Sequence, residues 1–545
     1  MRTPLRVCLF LLLALASAGH AQQGAAPAPS GLSAEETDLL ARVKTETVHT
    51  TTLALTAPEM EGRGTGQPGG DRAARYLADR FKALGLKPAG DNNDFLQAIR
   101  FGETQRFPTS ALRISGGETL TFGTDFYYIS SRAVEVKGPL IFVGFGVSDE
   151  QFHRDDYKGI DVRGKIVALL NGHPDALPDQ DKQQWQFARA RSSLQSVLLQ
   201  KGALAVLNVP ASTTRNPQFD SAALYTMRRQ IGWNPNQKVQ RILTTPLLPE
   251  AYVGASGAAK LWAKSGTSFE SDLTKAKTGA FVSRLLAPSA SLSFQVKTRE
   301  VTASNVVGIL EGSDPVLKNE AVTFIAHYDA FGKAVDGTIY PGAADNAVGV
   351  GELMGLAEAL ATGPRPKRSI VFLCPTAEEY GLLGTRHYLQ HPAFPIAKTV
   401  ATFAFDGIGT ETRGPVRVVV GYGREYSTLG QTLQSVTANL SCLLIPDPLP
   451  QEQTFFRSDH FAFVEKGVPS LFVLGAPGGN IAATLQRAQT FLATDYHQPT
   501  DTVHPDWNWD GPRSLSALVL LTGWRVLQAP TAPEWLPSSP YQRPK

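Results

Sequence analysis

Five short segments in the C-terminal half of the sequence each carry a side chain that can bind a divalent metal ion. These candidate ligands are His327, Asp345, Glu379, Asp406 and His497. Two imidazoles and three carboxylates suit a pair of ions, as in two-metal hydrolysis. A further carboxylate, Glu378, lies beside one of the candidate ligands and suits the role of a general base. The set therefore predicts a metal-dependent hydrolase.

Three of these segments directly follow an apolar run that is typical of a buried strand. They are His327 after VTFIA, Glu378 and Glu379 after IVFLCPTA, and Asp406 after TFAF. Ligands of α/β sheets gather at the carboxyl ends of the strands, so we expect these side chains at one rim. Asp345 opens a helical pattern, where a carboxylate is often only an N-cap. Beside the other candidates, we expect it to bridge two ions.

Glu378 and Glu379 are adjacent, and neighbouring side chains point in different directions. We therefore expect the two carboxylates to have different roles. We assign Glu379 as a metal ligand and Glu378 as the general base that takes a proton from a metal-polarised water. Imidazole and carboxylate ligands without a thiolate suit zinc, with manganese or cobalt as substitutes. The expected cofactor is therefore Zn²⁺, two ions per chain.

Two more aspartates are candidates for orienting the histidine ligands. Asp329 lies two residues after His327, and we expect it to hydrogen-bond the imidazole nitrogen that does not face the metal. Asp501 lies four residues after His497 and could orient that ring in the same way.

Two other hydrolase chemistries are disfavoured by the sequence. Ser458, Asp459 and His460 are consecutive, but no G-x-S-x-G nucleophile elbow precedes a helix there. The sequence also contains no H-E-x-x-H segment, which excludes a zincin.

The first residues resemble a secretion signal. Arg2 and Arg6 precede the apolar run 7–18, and Gly19 to Ala21 offer a cleavage site with small residues. We therefore predict a signal peptide over 1–21, export to the periplasm or the extracellular space, and no stable membrane anchor. The formal net charge of +3 gives no reason to expect nucleic acid or an anionic membrane as a partner.

The pattern of apolar residues divides the rest of the chain. We predict a linker at 22–32, followed by the N-terminal part of the catalytic domain at 33–111 and a β-rich insert at 112–287. The catalytic domain continues over 288–529, and a Pro-rich disordered tail follows at 530–545. Alternating strands and helices in the catalytic part predict an α/β fold with a mixed, mostly parallel central sheet flanked by helices. Whether Cys374 and Cys442 form a disulfide is left open.

The motifs resemble those of the co-catalytic zinc peptidase family that includes bacterial leucyl aminopeptidases and glutamate carboxypeptidase. They are EGRGTGQPGG at 61–70, HYD at 327–329, ADNAVG at 344–349, EEYGLLGTRHY at 378–388, FDGIG at 405–409, SDHFAF at 458–463 and DYHQPTDT at 495–502. The resemblance implies the zinc exopeptidase fold. It also implies that His327 and Asp406 hold one ion, Glu379 and His497 hold the other, and Asp345 bridges them.

Two details qualify the resemblance. The stretches 161–172 and 190–209 are similar to a protease-associated domain, which implies that the insert 112–287 is such a domain. Gly407 stands where the family usually has a longer apolar residue after the aspartate ligand. We expect this to change the wall of the substrate pocket and to leave metal binding intact.

These observations predict an exported zinc aminopeptidase that acts on peptides. A glutamate-type carboxypeptidase is also compatible with them, and it needs arginines such as Arg386, Arg424 or Arg457 in its pocket. A glutaminyl cyclase would use the same fold with one zinc ion, and a receptor-like binding protein would use it without catalysis. The preferred side chain and the oligomeric state are left open.

Overall fold

The computed structural model describes residues 31–130, 132–193, 195–214, 217–233, 248–478 and 481–543. The predicted signal peptide and residues 22–30 of the predicted linker lie outside these ranges. Among the described helices, none combines the length and apolar character that crossing a membrane requires.

A ten-stranded sheet forms the framework of the catalytic part. Its strands, in spatial order, are Gln230–Trp233, Leu96–Arg106, Val296–Leu310, Ser369–Cys374, Ala321–Ile325, Thr399–Ala404, Ser470–Pro477, Val416–Tyr422 and Leu443–Ile445, with Lys87–Pro88 paired to Val296–Leu310. The four strands from Ser369–Cys374 to Ser470–Pro477 run parallel to one another. Antiparallel pairs flank them on both sides. The prediction of a mixed α/β sheet is confirmed.

Helices cover both faces of this sheet. The described α-helices outside the second sheet are Ala34–Ala41, Thr45–Thr56, Pro68–Ala83, Val348–Thr362, Leu383–Gln390, Leu429–Asn439, His460–Val464, Ile481–Thr494 and Asp510–Gln528. Along Ser369–Cys374, Ile370 and Phe372 enter one hydrophobic core, whereas Val371 and Leu373 enter another. Because successive side chains of a strand point to opposite faces, a strand covered on both sides is apolar throughout.

One buried helix was not predicted from the sequence. Asp510–Gln528 packs in the core beside Val348–Thr362, and most of its residues are buried. Its apolar residues lie on all sides, so the amphipathic period that marks a surface helix is absent.

A second sheet of eight strands has its own hydrophobic core. Its strands, in spatial order, are Thr119–Thr121, Ala111–Ile114, Arg284–Phe294, Val134–Phe142, Ile166–Asn171, Ala205–Pro210, Glu250–Val253 and Phe126–Tyr128. The helices that accompany it are Lys182–Ser193, Gln195–Gln200, Pro217–Met227, Ala255–Trp262 and Phe269–Thr278. That this region is a protease-associated domain stays a prediction.

The region 112–287 is not wholly separate from the catalytic sheet. Gln230–Trp233 lies within that range, yet it pairs antiparallel with residues of Leu96–Arg106 at the edge of the ten-stranded sheet. The predicted insert therefore contributes one edge strand to the ten-stranded sheet.

The tail was predicted to be disordered over 530–545, and its described residues contradict this. The indole N–H of Trp535 donates to the carbonyl of Gly467 at 2.9 Å. The ring of Tyr541 lies 5.3 Å from that of Tyr426 and 5.9 Å from that of Phe455. The prolines suggested a chain without a core, but two aromatic side chains anchor it.

The two described cysteines, Cys374 and Cys442, both carry free thiols. Cys374 is fully buried in the central sheet.

Candidate metal centre

The side chains with metal-binding chemistry gather at the carboxyl rim of the parallel strands. Ala321–Ile325 lies between Ser369–Cys374 and Thr399–Ala404, and all three run in one direction. The chain leaves these strands towards His327, Glu378 and Asp406, respectively. The sheet therefore brings together residues that are up to 79 positions apart.

The first group consists of His327, Asp345 and Asp406. The Nε2 atom of His327 lies 3.3 Å from Oδ1 of Asp345 and 3.4 Å from Oδ1 of Asp406. His327 is 1% exposed, whereas the Asp406 side chain is 18% exposed, so the group is buried on the His327 side and reaches solvent at Asp406. Together they could hold one metal ion.

The second group consists of Asp345, Glu379 and His497. The Nε2 atom of His497 lies 3.0 Å from Oε2 of Glu379 and 3.2 Å from Oδ2 of Asp345. Asp345 thus presents one carboxylate oxygen to each group, as a bridging ligand requires. The second group could also hold one metal ion.

The spacing of these atoms fits zinc. Ligand atoms about 2.0–2.1 Å from a tetrahedral ion are separated from each other by roughly 3.3–3.4 Å. The nitrogen-to-oxygen distances in the two groups span 3.0–3.4 Å. The donor set of two imidazoles and three carboxylates therefore fits a pair of ions in both type and spacing.

The carboxylates hold both histidines in their charged form when no metal is present. Burial would lower the pKa of His497, but Glu379 and Asp345 outweigh it and raise the pKa to about 9. The same balance holds at His327, where Glu378 and neighbouring aspartates raise the pKa despite burial. A metal ion that binds to either imidazole must displace the proton on its ring nitrogen.

Glu378 lies at the edge of the first group. Its Oε2 atom is 3.8 Å from Nε2 of His327, and burial raises the pKa of its carboxyl group. Its backbone N–H donates to Oδ1 of Asp329 at 3.1 Å, which holds this segment in place. Glu378 and Glu379 therefore face different surroundings, as their assigned roles require.

The structure corrects the expected contact of Asp329. The Nδ1 atom of His327 lies 3.2 Å from the carbonyl oxygen of Asp329, whereas its carboxylate oxygen is 3.7 Å away. The longer distance exceeds that of a hydrogen bond. The backbone of Asp329 thus contacts the ring, and its carboxylate instead accepts the N–H of Glu378.

Asp501 also acts at a different place from the one expected. Its carboxylate accepts the backbone N–H groups of Ala344 at 2.8 Å and of Asp345 at 3.1 Å. It therefore fixes the turn that carries Asp345 and does not contact the imidazole of His497. The expectation rested on its proximity to His497 in the chain, which does not determine what a loop carboxylate contacts.

Arg63 was missed by the sequence analysis, although it lies in the EGRGTG segment. Its guanidinium is fully buried and donates to the carbonyl oxygens of Leu55, Tyr328, Pro341 and Gly342 at 2.7–2.8 Å. It thereby ties the segment after His327 to the segment before Asp345. An arginine between two glycines was the available signal, because such a position permits close approach of backbone.

Gly407 allows the Asp406 segment to approach the Asp345 turn. A Cβ atom at this position would lie 2.3 Å from the carbonyl oxygen of Ala344. The N–H of Gly407 donates to the side chain of Asn346 at 3.1 Å. A larger residue would push the two ligand segments apart, so glycine serves their packing.

Comparison with known proteins identifies the catalytic part. Residues 305–522 match the sequence model of peptidase family M28, and the candidate ligands all lie within this stretch. These residues belong to peptidase family M28. The M28 stretch includes the parallel strands and both groups of candidate metal ligands.

Curated relatives of this chain include proteins named as aminopeptidases and proteins named as vacuolar membrane proteases. The probable leucine aminopeptidase 2 of Aspergillus oryzae is 31% identical over 189 residues, which make up 33% of this chain and 35% of that protein. Aminopeptidase YwaD of Bacillus subtilis is 31% identical over 123 residues, or 22% and 25% of the two chains. The matched region thus spans only about a quarter to a third of these relatives' length.

Solved structures share the fold over most of the chain. An aminopeptidase from Aneurinibacillus sp. strain AM-1 has a TM-score of 0.56 and 18% identity, covering 94% of this chain and all of that one. An M28 peptidase precursor from Shewanella amazonensis has a TM-score of 0.54 and 16% identity, covering 94% and 98%. At such low identity, these likenesses show the fold alone.

Proposed function

We propose that this chain is a zinc-dependent exopeptidase, most specifically an aminopeptidase that removes residues from the N-terminus of peptides. The observation that carries the proposal is that the two carboxylate oxygens of Asp345 face different histidines. Oδ1 lies near His327, and Oδ2 lies near His497. A shared carboxylate between two histidine-containing groups is the arrangement used in two-metal hydrolysis. The names of the similar proteins support cleavage at the N-terminus, since they include a zinc aminopeptidase from Bacillus subtilis.

The proposed cofactor is a pair of Zn²⁺ ions. His327, Asp345 and Asp406 would hold one, and Asp345, Glu379 and His497 would hold the other. When bound, such ions polarise a carbonyl oxygen and lower the pKa of a water molecule.

Glu378 is the proposed general base. Burial raises the pKa of its carboxyl group and thus its affinity for a proton, as a general base requires. Glu378 would accept a proton from the attacking water and then donate it to the departing amine nitrogen. Asp329 supports this role by holding the backbone of Glu378.

An apolar cavity beside the rim supports a preference for apolar substrate side chains. Its walls include Ile408, Val420, Leu474, Ile481 and Leu485. Ile408 lies two residues after Asp406, and Leu474 belongs to the parallel strand next to Thr399–Ala404. Transfer of an apolar side chain into such a cavity is favourable, and a charged one would be desolvated without a partner.

A carboxypeptidase is the second candidate, and one arginine favours it. The guanidinium of Arg457 donates to the hydroxyl of Tyr496 at 3.1 Å, and Tyr496 stacks on His497 at 3.7 Å. The Arg457 side chain is 45% exposed, so it remains accessible at the rim of the site. Both arginines have an acidic partner, but Arg457 lies 3.5 Å from Glu452, whereas Arg386 is held more closely by Glu465 at 2.8 Å.

We also propose that the protein is exported, with residues 1–21 as its signal peptide. The basic start, the short apolar run and the small residues at 19–21 support this. The periplasm and the extracellular space are both compatible with these features.

Hydrolysis of a panel of substrates tests the proposed function. Amino-acyl-p-nitroanilides with leucyl, phenylalanyl, glutamyl and lysyl groups are compared with N-blocked dipeptides, before and after zinc chelation. We expect release from unblocked leucyl and phenylalanyl substrates, loss of this activity with the chelator, and recovery when zinc is returned.

The remaining outcomes separate the competing functions. Cleavage of N-blocked dipeptides alone would establish the carboxypeptidase and assign Arg457 a substrate contact. If neither substrate class is hydrolysed, the peptidase proposal is wrong, and cyclisation of N-terminal glutamine becomes the next assay. Absence of both activities would favour a binding protein.

A further inference from the structure

A buried arginine outside the M28 stretch reaches the second metal-binding group. Arg228 follows the helix Pro217–Met227, which accompanies the second sheet, and it is 1% exposed. Its Nη2 atom donates to the backbone carbonyl oxygen of His497, which lies 269 residues away in the chain. The predicted insert 112–287 therefore touches a candidate metal ligand.

Aromatic rings hold the Arg228 guanidinium in place. Its central carbon lies 3.9 Å from the ring centre of Phe331 and 4.4 Å from that of Tyr340. Phe331 in turn meets the imidazole of His497 edge-on, with 4.7 Å between ring centres. Stacked arginine is stabilised by the faces of aromatic rings. Arg228 thus contacts His497 both through its carbonyl and through a shared aromatic neighbour.

The backbone of His497 needs such support. Its φ angle is +59°, in the left-handed region that residues with a Cβ atom seldom adopt. A conformation of this kind persists only when its surroundings hold it. Because φ and ψ set the direction of the side chain, a hydrogen bond to the carbonyl of His497 also orients its imidazole towards Asp345 and Glu379.

The neighbours of Arg228 fix its segment to the catalytic part. Arg229 donates from Nε to the carbonyl oxygen of Lys333 at 2.9 Å, and the hydroxyl of Tyr380 donates to the carbonyl oxygen of Arg229 at 2.9 Å. Gln230–Trp233 then pairs with the edge of the ten-stranded sheet. These contacts fix the segment that carries Arg228 and thereby place its side chain next to His497.

We propose that Arg228 is a positioning residue that sets the metal affinity of the group containing His497. This inference rests on the proposed function, because it requires that the group binds an ion. The group formed by His327, Asp345 and Asp406 receives no direct contact from Arg228 among the described residues. Loss of Arg228 should therefore weaken one site and spare the other.

Metal titration of three variants tests this inference. Arg228→Met removes the charge and the donor, Arg228→Lys keeps a charged donor without the planar stack, and Arg229→Met disturbs the same segment without touching His497. Zinc bound per chain is measured at buffered free zinc, and the absorption spectrum of the cobalt-loaded protein reports each site. Thermal unfolding shows whether each variant is folded.

Residues that support metal ligands from behind typically change affinity by roughly 10- to 100-fold. We expect Arg228→Met to weaken one of the two sites to this extent, Arg228→Lys to weaken it less, and Arg229→Met to leave both sites unchanged. The cobalt spectrum of Arg228→Met should lose the contribution of one site only.

Four results would overturn the inference. Unchanged affinity at both sites in Arg228→Met would show that His497 needs no such support. Equal weakening of both sites, or the same loss in Arg229→Met, would show that the segment acts only through general stability. If the wild-type protein binds no metal, the proposed function fails as well, so the two failures are distinguishable.

Discussion

The carboxylate of Glu378 illustrates how one residue's surroundings determine its chemistry. It is adjacent to Glu379 in the chain, but only Glu379 contacts the imidazole of His497 at hydrogen-bond distance. Burial raises the pKa of the Glu378 carboxyl group. Burial raises the pKa of the Glu379 carboxyl group as well, so the contact with His497 is what favours Glu379 as the proposed ligand and leaves Glu378 as the proposed base.

Glu378→Gln tests this separation. The amide keeps the size of the side chain but cannot accept a proton from water, so we expect kcat to fall by about 10²- to 10⁴-fold. Zinc content should stay that of the wild type, because the residue is not assigned as a ligand. Glu465→Gln, at an exposed surface pair, serves as the matched control. Wild-type kcat in Glu378→Gln, or loss of zinc from it, would contradict the assigned role.

The histidines predict how the metal-free protein responds to pH. The pKa of His497 is raised from 6.5 to about 9, so the folded state binds its proton more tightly than the unfolded state does. The stabilisation from this charge is complete below about pH 6.5 and is lost as the pH rises through about 9. The free energy of unfolding of the chelated protein should therefore fall across this window.

Urea unfolding of the chelated protein at pH 6.5 and 9 measures this effect. His497→Asn should remove part of the pH dependence, since the raised pKa is absent. Zinc affinity should move in the opposite direction and rise with pH, because the metal must displace the protons. A chelated protein that is more stable at pH 9 than at pH 6.5 would contradict the assigned pKa.

At the scale of elements, the strand ends explain why much of the site was predictable. Apolar strands that are covered on both faces stand out in the sequence, and polar residues directly after them mark the rim. His327, Glu379 and Asp406 were found in this way. His497 and Asp345 lie in loops and turns, where residue type marked them as candidates and the resemblance to a known family indicated which ion each would hold.

The supporting contacts could not be predicted in the same way. Asp501 caps the turn at Asp345, and Arg63 binds carbonyl groups from three other segments. Such contacts depend on how loops are arranged in space, which neither periodicity nor residue type specifies. Arg228 was harder still, because its segment returns from the second sheet to the first.

The tail offers a test at the scale of a segment. Trp535→Ala removes an indole that packs on the core and leaves the carbonyl of Gly467 without its donor. We expect the free energy of unfolding to fall by about 2 kcal/mol, from lost apolar burial and a lost hydrogen bond. Chemical denaturation measures this, with exposed Gln542→Ala as the control. No change in Trp535→Ala would show that the tail does not stabilise the fold.

For the whole molecule, the sequence predicted the α/β class and the presence of a β-rich region before the catalytic part. It missed the packing of Asp510–Gln528, the edge strand Gln230–Trp233 and the anchored tail. Each depends on contacts between parts of the chain that are far apart in sequence. Local patterns report which face of an element is apolar, and they do not report what covers it.

Chain from the region of the second sheet reaches the candidate metal centre. Segments that follow strands of the ten-stranded sheet carry His327, Glu379 and Asp406, and Arg228, after Pro217–Met227, donates to the carbonyl oxygen of His497. This contact links the chain of the second sheet to the candidate metal centre through a specific residue. The central claim remains that Asp345 joins two zinc sites.

Zinc stoichiometry tests that claim most directly. The wild-type protein, Asp345→Asn and the exposed control Asp336→Asn are dialysed against the same buffered zinc, and metal per chain is measured by mass spectrometry. We expect two zinc ions per chain in the wild type and in Asp336→Asn, and fewer than one in Asp345→Asn, because both sites share this carboxylate. A wild-type protein without zinc, or an Asp345→Asn variant that keeps two ions, would contradict the account.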